Sequence, residues 1–162
     1  MKKLLYVLSF VLAVAFASDG QTTNQLHFSK SGFTIAPLDE PPGQSPQQVL
    51  MMFLPATKSF APNVNVQIQP YAGTIEDYVT LSLEQFKSMG LKLSSQKAVG
   101  KSAVTLEYTG EMKGKPLHWY ARAEKSGDKI YVATATASEE QWGTVATQLK
   151  TCVDSFRCEN GE

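Results

Sequence analysis

The chain has 162 residues, of which 43% are hydrophobic and 19% are charged, and this composition suits one globular domain with an adequate core. Fifteen basic residues balance fifteen acidic ones, and without residues 1–17 the formal net charge is −2. That balance argues against a nucleic-acid partner, because binding to nucleic acid normally requires a basic patch that displaces counterions from phosphates.

The first residues have the pattern of a signal peptide. Lys2 and Lys3 precede an apolar run over 4–16, and Ala17 completes a small-x-small cleavage pattern. The run is shorter than the roughly 20 residues of a membrane span; an uncleaved N-terminal anchor is the alternative. We therefore predict a signal peptide over 1–17, no membrane span after its cleavage, and a secreted or periplasmic protein.

The mature chain is predicted to begin with a small hairpin. Leu26–Phe28 and Phe33–Ile35 have strand composition and flank a turn at Gly32. A proline-rich loop over 37–46 follows, and its lack of backbone donors places it on the surface. We interpret it as a plain connection, with a recognition loop as the alternative.

The next two segments predict strands of different character. Every residue of 49–54 is apolar, which favours a strand covered on both faces. Val64, Val66 and Ile68 alternate with polar residues and indicate a strand with one polar side. A strand covered on both faces needs a packing element on each side of the sheet.

Two amphipathic helices are predicted to supply that cover. The first is capped by Thr74 with Asp77 and ends at Gly90, which can adopt the left-handed conformation. The second opens with a capping box from Ser138 to Gln141. Spacings of three and four residues define the buried stripes. These are Ile75, Val79, Leu83 and Phe86 in the first helix, and Trp142, Val145, Ala146, Leu149, Cys152 and Val153 in the second.

Three antiparallel strands over 103–137 form the centre of the predicted fold. Their turns fall at Lys113-Gly114 and Ser126-Gly127, where glycine supplies a positive φ. The turns set three pairs of residues opposite each other: Tyr108 and Trp119, Ala123 and Ile130, and Arg122 and Tyr131. Both registers place the large apolar side chains on one face of this meander.

Four stretches carry a likeness to a known fold: Ser31–Ile35, Pro62–Val66, the helix from Ile75 to Gly90, and the meander that leads to Ser155-Phe156. In this order they resemble the PsbP-like fold family. The resemblance implies a single α+β domain in which an antiparallel β-sheet of about six strands is packed between α-helices. Members of that family include photosystem accessory subunits, a nuclear Ran-binding factor and exported bacterial proteins without assigned activity, and they usually act by binding.

Cys152 and Cys158 lie close together in the sequence. Outside the cytoplasm two nearby thiols commonly oxidise, so we predict a structural disulfide, with a redox pair or two free thiols as alternatives. In one continuous helix the two residues would lie about 9 Å apart along the axis. The disulfide therefore requires the last helix to end near Val153 or Asp154.

The second face of the meander carries the candidate binding residues, which are Glu107, His118, Tyr120, Arg122 and Tyr131. Tyrosine and arginine are favoured at binding hot spots. The alternative interpretation is that these cross-strand pairs only stabilise the sheet, in solvent or beneath a helix. The sequence contains no catalytic motif and no closely spaced set of metal ligands, so no catalytic residue, metal or cofactor is predicted.

The sequence thus predicts an exported, non-enzymatic binding or accessory domain over 26–158, between a flexible leader (18–25) and a tail (159–162). Its partner is expected to be a protein or a small molecule in the envelope or the medium. The alternative function is a metal-dependent or hydrolytic enzyme that uses His118 and Glu107.

Overall fold

The computed structural model describes residues 25–36, 46–58 and 60–158, which form eight strands and two helices. The predicted signal peptide, most of the leader, most of the proline-rich loop and the tail lie outside the described residues. The strands are β1 (Leu26–Phe28), β2 (Phe33–Ile35), β3 (Gln47–Phe53), β4 (Asn63–Pro70), β5 (Lys92–Val99), β6 (Ala103–Met112), β7 (Lys115–Ser126) and β8 (Lys129–Ser138). The helices are α1 (Ile75–Ser88) and α2 (Glu139–Asp154).

The predicted N-terminal hairpin is confirmed. Strands β1 and β2 pair antiparallel, with Phe28 opposite Phe33, and the rings of these two residues stack with centroids 4.8 Å apart. Gly32 has a φ of +74°, which explains the glycine at this turn. The chain divides into two units; the hairpin belongs to the smaller one, and the other elements belong to the larger one.

The larger unit is an α+β domain built on a six-stranded sheet. Its strand order is β3-β4-β8-β7-β6-β5, and all neighbouring strands are antiparallel. The predicted meander supplies three adjacent strands near the centre. In its first turn Lys113 and Gly114 have φ values of +51° and +73°, and Tyr108 lies opposite Trp119 as predicted.

The register of the second hairpin differs from the prediction by two residues. Ala123 lies opposite Val132 rather than Ile130, and Arg122 lies opposite Ala133 rather than Tyr131. The difference arises because β7 and β8 pair up to Ser126 and Lys129, so the two-residue loop is Gly127-Asp128 and not Ser126-Gly127. A slip of two residues preserves the side-chain alternation, so each side chain keeps its predicted face.

The two edges of the sheet were not predicted correctly. The apolar segment 49–54 was expected to be covered on both faces, but β3 is an edge strand whose Val49, Met51, Met52 and Phe53 are exposed. The opposite edge, β5, has no clear apolar alternation in the sequence and was not predicted. It is exposed along almost its whole length and forms by pairing with β6.

The helices cover opposite faces of the sheet, as predicted. Both capping boxes are present, Thr74 with Asp77 in α1 and Ser138 with Gln141 in α2. On one face α1 packs in a cluster that includes Ala123. On the other face α2 packs in a cluster that includes Tyr120. Tyr120 and Ala123 are three positions apart on β7, so their side chains lie on opposite faces of the sheet. The buried members of the α1 cluster are Ile75, Val79, Val104, Leu106, Ala123 and Ile130. Those of the α2 cluster are Val64, Val66, Ala133, Ala135, Ala137, Trp142, Leu149 and Val153.

Candidate functional site

All five candidate binding residues lie on the sheet face that α2 covers. Glu107 is on β6, Tyr131 is on β8, and β7 carries His118, Tyr120 and Arg122. His118 and Arg122 are buried, and the other three are partly buried. The alternative in which this face lies beneath a helix is therefore the one that the fold adopts. A role in binding remains a prediction for these residues.

His118 is the centre of a polar cluster that links the sheet to α2. Its Nε2 atom lies 3.0 Å from Glu107 Oε1, and its Nδ1 atom lies 3.0 Å from Glu139 Oε2 in the first turn of α2. The imidazole also stacks on the indole of Trp142, with ring centroids 4.0 Å apart. Lys150 Nζ donates a hydrogen bond to Glu107 at 2.8 Å. Two strands and both halves of α2 thus meet at this cluster.

The environment of Glu107 favours its charged form. Burial by itself raises the pKa of a carboxyl, because it disfavours the charge. The hydrogen bonds from Lys150 and His118 outweigh burial and bring the pKa of Glu107 below its ordinary value of 4.5. Glu107 is therefore a carboxylate at neutral pH, and it accepts a hydrogen bond from Lys150 in that form.

A second polar group lies farther along β7. Arg122 donates from Nε and Nη2 to Glu124 Oε2 at 3.2 and 3.0 Å, and both side chains are buried. Glu124 Oε1 accepts the backbone N–H of Cys158 at 3.2 Å. Near the end of α2, Tyr120 donates from its hydroxyl to Asp154 at 2.8 Å. These contacts fasten the C-terminal half of α2 and the segment after it to the sheet.

The disulfide predicted between Cys152 and Cys158 is not formed in the structure, where both thiols are free. As the disulfide would have required, α2 ends at Asp154. The segment beyond the helix is instead held by the hydrogen bond from Cys158 to Glu124. Burial raises the pKa of the Cys158 thiol to about 11, and burial also raises the pKa of Cys152. Neither thiol is activated as a nucleophile by its surroundings.

The side chains of the polar cluster and of the second polar group are engaged within the protein. Glu107, His118, Arg122 and Glu124 hydrogen-bond to one another or to neighbouring residues, and His118 is buried on the face that α2 covers. Within the described residues, no group of three or more histidine, cysteine, aspartate or glutamate side chains is arranged to hold a metal ion. These contacts hold α2 against the sheet.

Sequence reasoning missed a groove beside the first half of α2. Its volume is about 470 Å³, and it lies between the helix and the segment that joins β3 to β4. The groove is lined by Leu54, Pro55, Thr57, Lys58, Pro62, Glu140, Gln141, Thr144, Val145 and Gln148. The less exposed of these side chains include Leu54, Pro62 and Val145, so the deeper part of the groove is largely apolar.

Gln141 holds the two walls of this groove together. Its side-chain amide donates to the backbone carbonyls of Thr57 and Phe60 at 2.8 and 3.1 Å, and an ion pair between Lys58 and Glu140 joins the same two walls at the surface. In the sequence Gln141 has the appearance of a capping residue only. A glutamine in a capping box uses its side-chain oxygen and leaves its NH2 group free to donate. This spare donor was the only hint in the sequence that Gln141 makes further contacts.

A comparison with known families assigns the fold. The PsbP family model matches residues 77–158, from the first turn of α1 to the end of the described chain. The chain belongs to the PsbP family. The matched region contains all five candidate binding residues and the α2 wall of the groove. No protein of curated function matches the sequence.

Three solved structures resemble this chain to different degrees. A protein of unknown function from Pseudomonas aeruginosa, PA94, described as a putative regulator, is 17% identical with a TM-score of 0.62, covering 83% of this chain and 96% of its own. The cyanobacterial PsbP of Synechocystis is 16% identical with a TM-score of 0.44 over 76% and 98% of the two chains. LpqN, involved in cell envelope biogenesis of Mycobacterium tuberculosis, is 14% identical with a TM-score of 0.44 over 75% and 87%. The likeness to PA94 shows the same fold.

The resemblance to the PsbP-like fold family is thus confirmed, together with the antiparallel sheet between helices that it implied. Of the helices in the part of the chain that the structure describes, neither has the length and apolar character needed to cross a bilayer.

Proposed function

We propose that this member of the PsbP family is an exported, non-enzymatic accessory domain that binds a protein in the envelope or the medium. The observation that carries the proposal is the groove beside α2, which combines an apolar interior with walls fixed by Gln141. Such preorganisation favours binding, since little conformational freedom is lost when the partner arrives.

The lining of the groove fits an apolar side chain from a protein partner. Leu54, Pro62 and Val145 offer an apolar surface, and exposed Thr144 and Gln148 stand one helical turn apart on α2. Anchoring of an aromatic or aliphatic side chain in a pocket, with polar contacts around it, is the usual anatomy of a protein interface. The volume of about 470 Å³ has room for one or two such side chains.

The polar cluster supports this proposal indirectly. Glu107 and His118 fix α2 from the sheet side, and Arg122 fixes the segment after it through Glu124. Because α2 forms one wall of the groove, we propose that these residues act by positioning the helix. Direct contact between them and the partner would need α2 to move.

Site-directed photo-crosslinking in the exporting cells tests the proposal. A photo-reactive residue at Thr144 should give one defined protein adduct. The same residue at Thr147, which is exposed on α2 but does not line the groove, should not give it. Adding Gln148→Arg should abolish the adduct by filling the groove with a charged side chain. Absence of any adduct at Thr144, or the same adduct from both positions, would count against the groove as the binding surface.

A further inference from the structure

The edge strand β3 is apolar, uncharged and exposed. Val49, Met51, Met52 and Phe53 have exposed side chains, with Phe53 reaching 60%. No charged residue occurs between Glu40 and Lys58. An edge strand also carries a row of backbone N–H and C=O groups that point away from its only neighbour. Such an edge is a ready template for pairing with another strand.

The opposite edge of the same sheet has the usual protection. Strand β5 carries Lys92 and Lys97, and lysine on an edge strand opposes pairing with other chains. Like charges placed opposite each other across two strands are destabilising. The domain therefore has one edge protected by charge and one edge, β3, without it.

We propose that β3 pairs with β3 of a second copy of this chain, antiparallel and about a two-fold axis, so that the two sheets become continuous. The choice of a second copy follows from the charges. Two identical strands meet without any charge opposing a like charge, whereas the same pairing along β5 would bring its lysines together. This interface is separate from the proposed groove, so it adds a property to the proposed function and does not depend on it.

The side-chain pattern of β3 is complementary to itself in this arrangement. Met51 and Phe53 lie opposite Asn65 and Asn63 of β4 on one face, and Met52 lies opposite Val64 on the α2 face. An antiparallel pair of strands has its two-fold axis perpendicular to the sheet, so each face of one copy continues into the same face of the other. Pairing over the whole strand, centred on Leu50, would place Met51 of one copy opposite Val49 of the other, and Met52 and Phe53 opposite Gln48 and Gln47. No charge is opposed in this register.

Two prolines confine the pairing to a short segment. Pro46 precedes β3 and Pro55 follows it, and a proline has no N–H to donate to a new ladder. The ladder between the two copies is therefore limited to the seven residues of β3. In a two-fold dimer each copy covers the β3 edge of the other, so no edge of this kind is left to bind a third copy. The strand can therefore lack protective charges without open-ended assembly.

The oligomeric state of the purified chain tests the proposal, with matched variants at the two edges. Met51 is 42% exposed and Leu93 on β5 is 41% exposed, so replacement by lysine makes the same chemical change at equal exposure. Sedimentation equilibrium should show a dimer for the natural sequence and for Leu93→Lys. Met51→Lys should weaken dimerisation at least about tenfold, since each dimer gains two charges at the paired edge. Phe53→Lys is a second variant at a more exposed position and should act alike.

Hydrogen exchange supplies an independent measurement on the backbone. The amides of β3 should exchange more slowly at concentrations where the dimer forms than after dilution, and the amides of β5 should not change. A chain that stays monomeric throughout the concentration range overturns the proposal and leaves β3 to a different occupant. Equal weakening by Met51→Lys and Leu93→Lys, or no weakening by either lysine on β3, overturns it as well.

Discussion

The buried pair of Arg122 and Glu124 leads to the sharpest prediction about stability. The side chains are only 6% and 8% exposed, and the guanidinium makes two hydrogen bonds to one carboxylate oxygen. Glu124→Gln keeps the shape but removes the negative charge, which leaves the guanidinium without an ionic partner. Removal of one member of a buried ion pair costs about 3–5 kcal/mol. That is a large share of a total stability of roughly 5–15 kcal/mol.

Urea unfolding followed by tryptophan fluorescence measures this effect. The midpoint should fall strongly for Glu124→Gln with no change in the slope of free energy against urea. The exposed pair of Lys58 and Glu140, with side chains 71% and 65% exposed, is the control, and Glu140→Gln should cost less than about 1 kcal/mol. The double variant Arg122→Met/Glu124→Leu should recover most of the loss, since apolar groups can replace a buried pair. A loss for Glu124→Gln no larger than that for Glu140→Gln would refute the reasoning.

Three further predictions concern titratable groups. The pKa of Glu107 is below 4.5 in the folded protein, so its stabilising effect is complete above that pH and is lost as the pH falls through the folded value; urea midpoints for Glu107→Gln should therefore depend less on pH in the acid range. Burial raises the pKa of Tyr108 to about 12, and Tyr108→Phe should remove a late step from the phenolate absorbance titration. Since Cys152 and Cys158 are free thiols, intact masses with and without reductant should agree; a difference of about 2 Da would show the disulfide instead.

Local features of the fold were predictable from the sequence because local interactions decide them. The capping boxes at Thr74 and Ser138 need only a hydroxyl and a side chain three residues later. The first turn of the meander needs a residue pair that tolerates positive φ at Lys113-Gly114. Once that turn is fixed, the pairing of Tyr108 with Trp119 follows from counting residues along the two strands.

The edges of the sheet were not predictable in the same way, since a strand's position in the sheet is set by tertiary contacts. The apolar composition of β3 is typical of a central strand, yet β3 lies at an edge. Strand β5 has few apolar residues and forms because β6 offers it a partner. Strand propensity reflects what surrounds a residue more than the backbone itself, and the surroundings are absent from a local window.

The candidate site shows a similar limit. Alternation along β7 correctly placed His118, Tyr120 and Arg122 on one face, but alternation cannot tell whether a polar face meets water or a polar helix. Here α2 places Glu139 and Lys150 over that face, where Glu139 contacts His118 and Lys150 donates a hydrogen bond to Glu107. In the sequence these two residues have the appearance of ordinary charged residues on a solvent-exposed helix face.

This arrangement changes where recognition is expected on the molecule. Ionic groups on the sheet face are already paired with α2 or with one another, so a partner would gain little from them without unpacking the helix. Unpacking would expose the apolar cluster around Trp142 and Val153. Among the described residues, the groove beside Val145 and the edge of β3 are two surfaces that are accessible and largely apolar. Binding at either surface buries apolar area without breaking a buried ion pair. Charged residues that stand out in the sequence thus hold the fold together, and the uncharged segment 46–57 contributes to both proposed interaction surfaces.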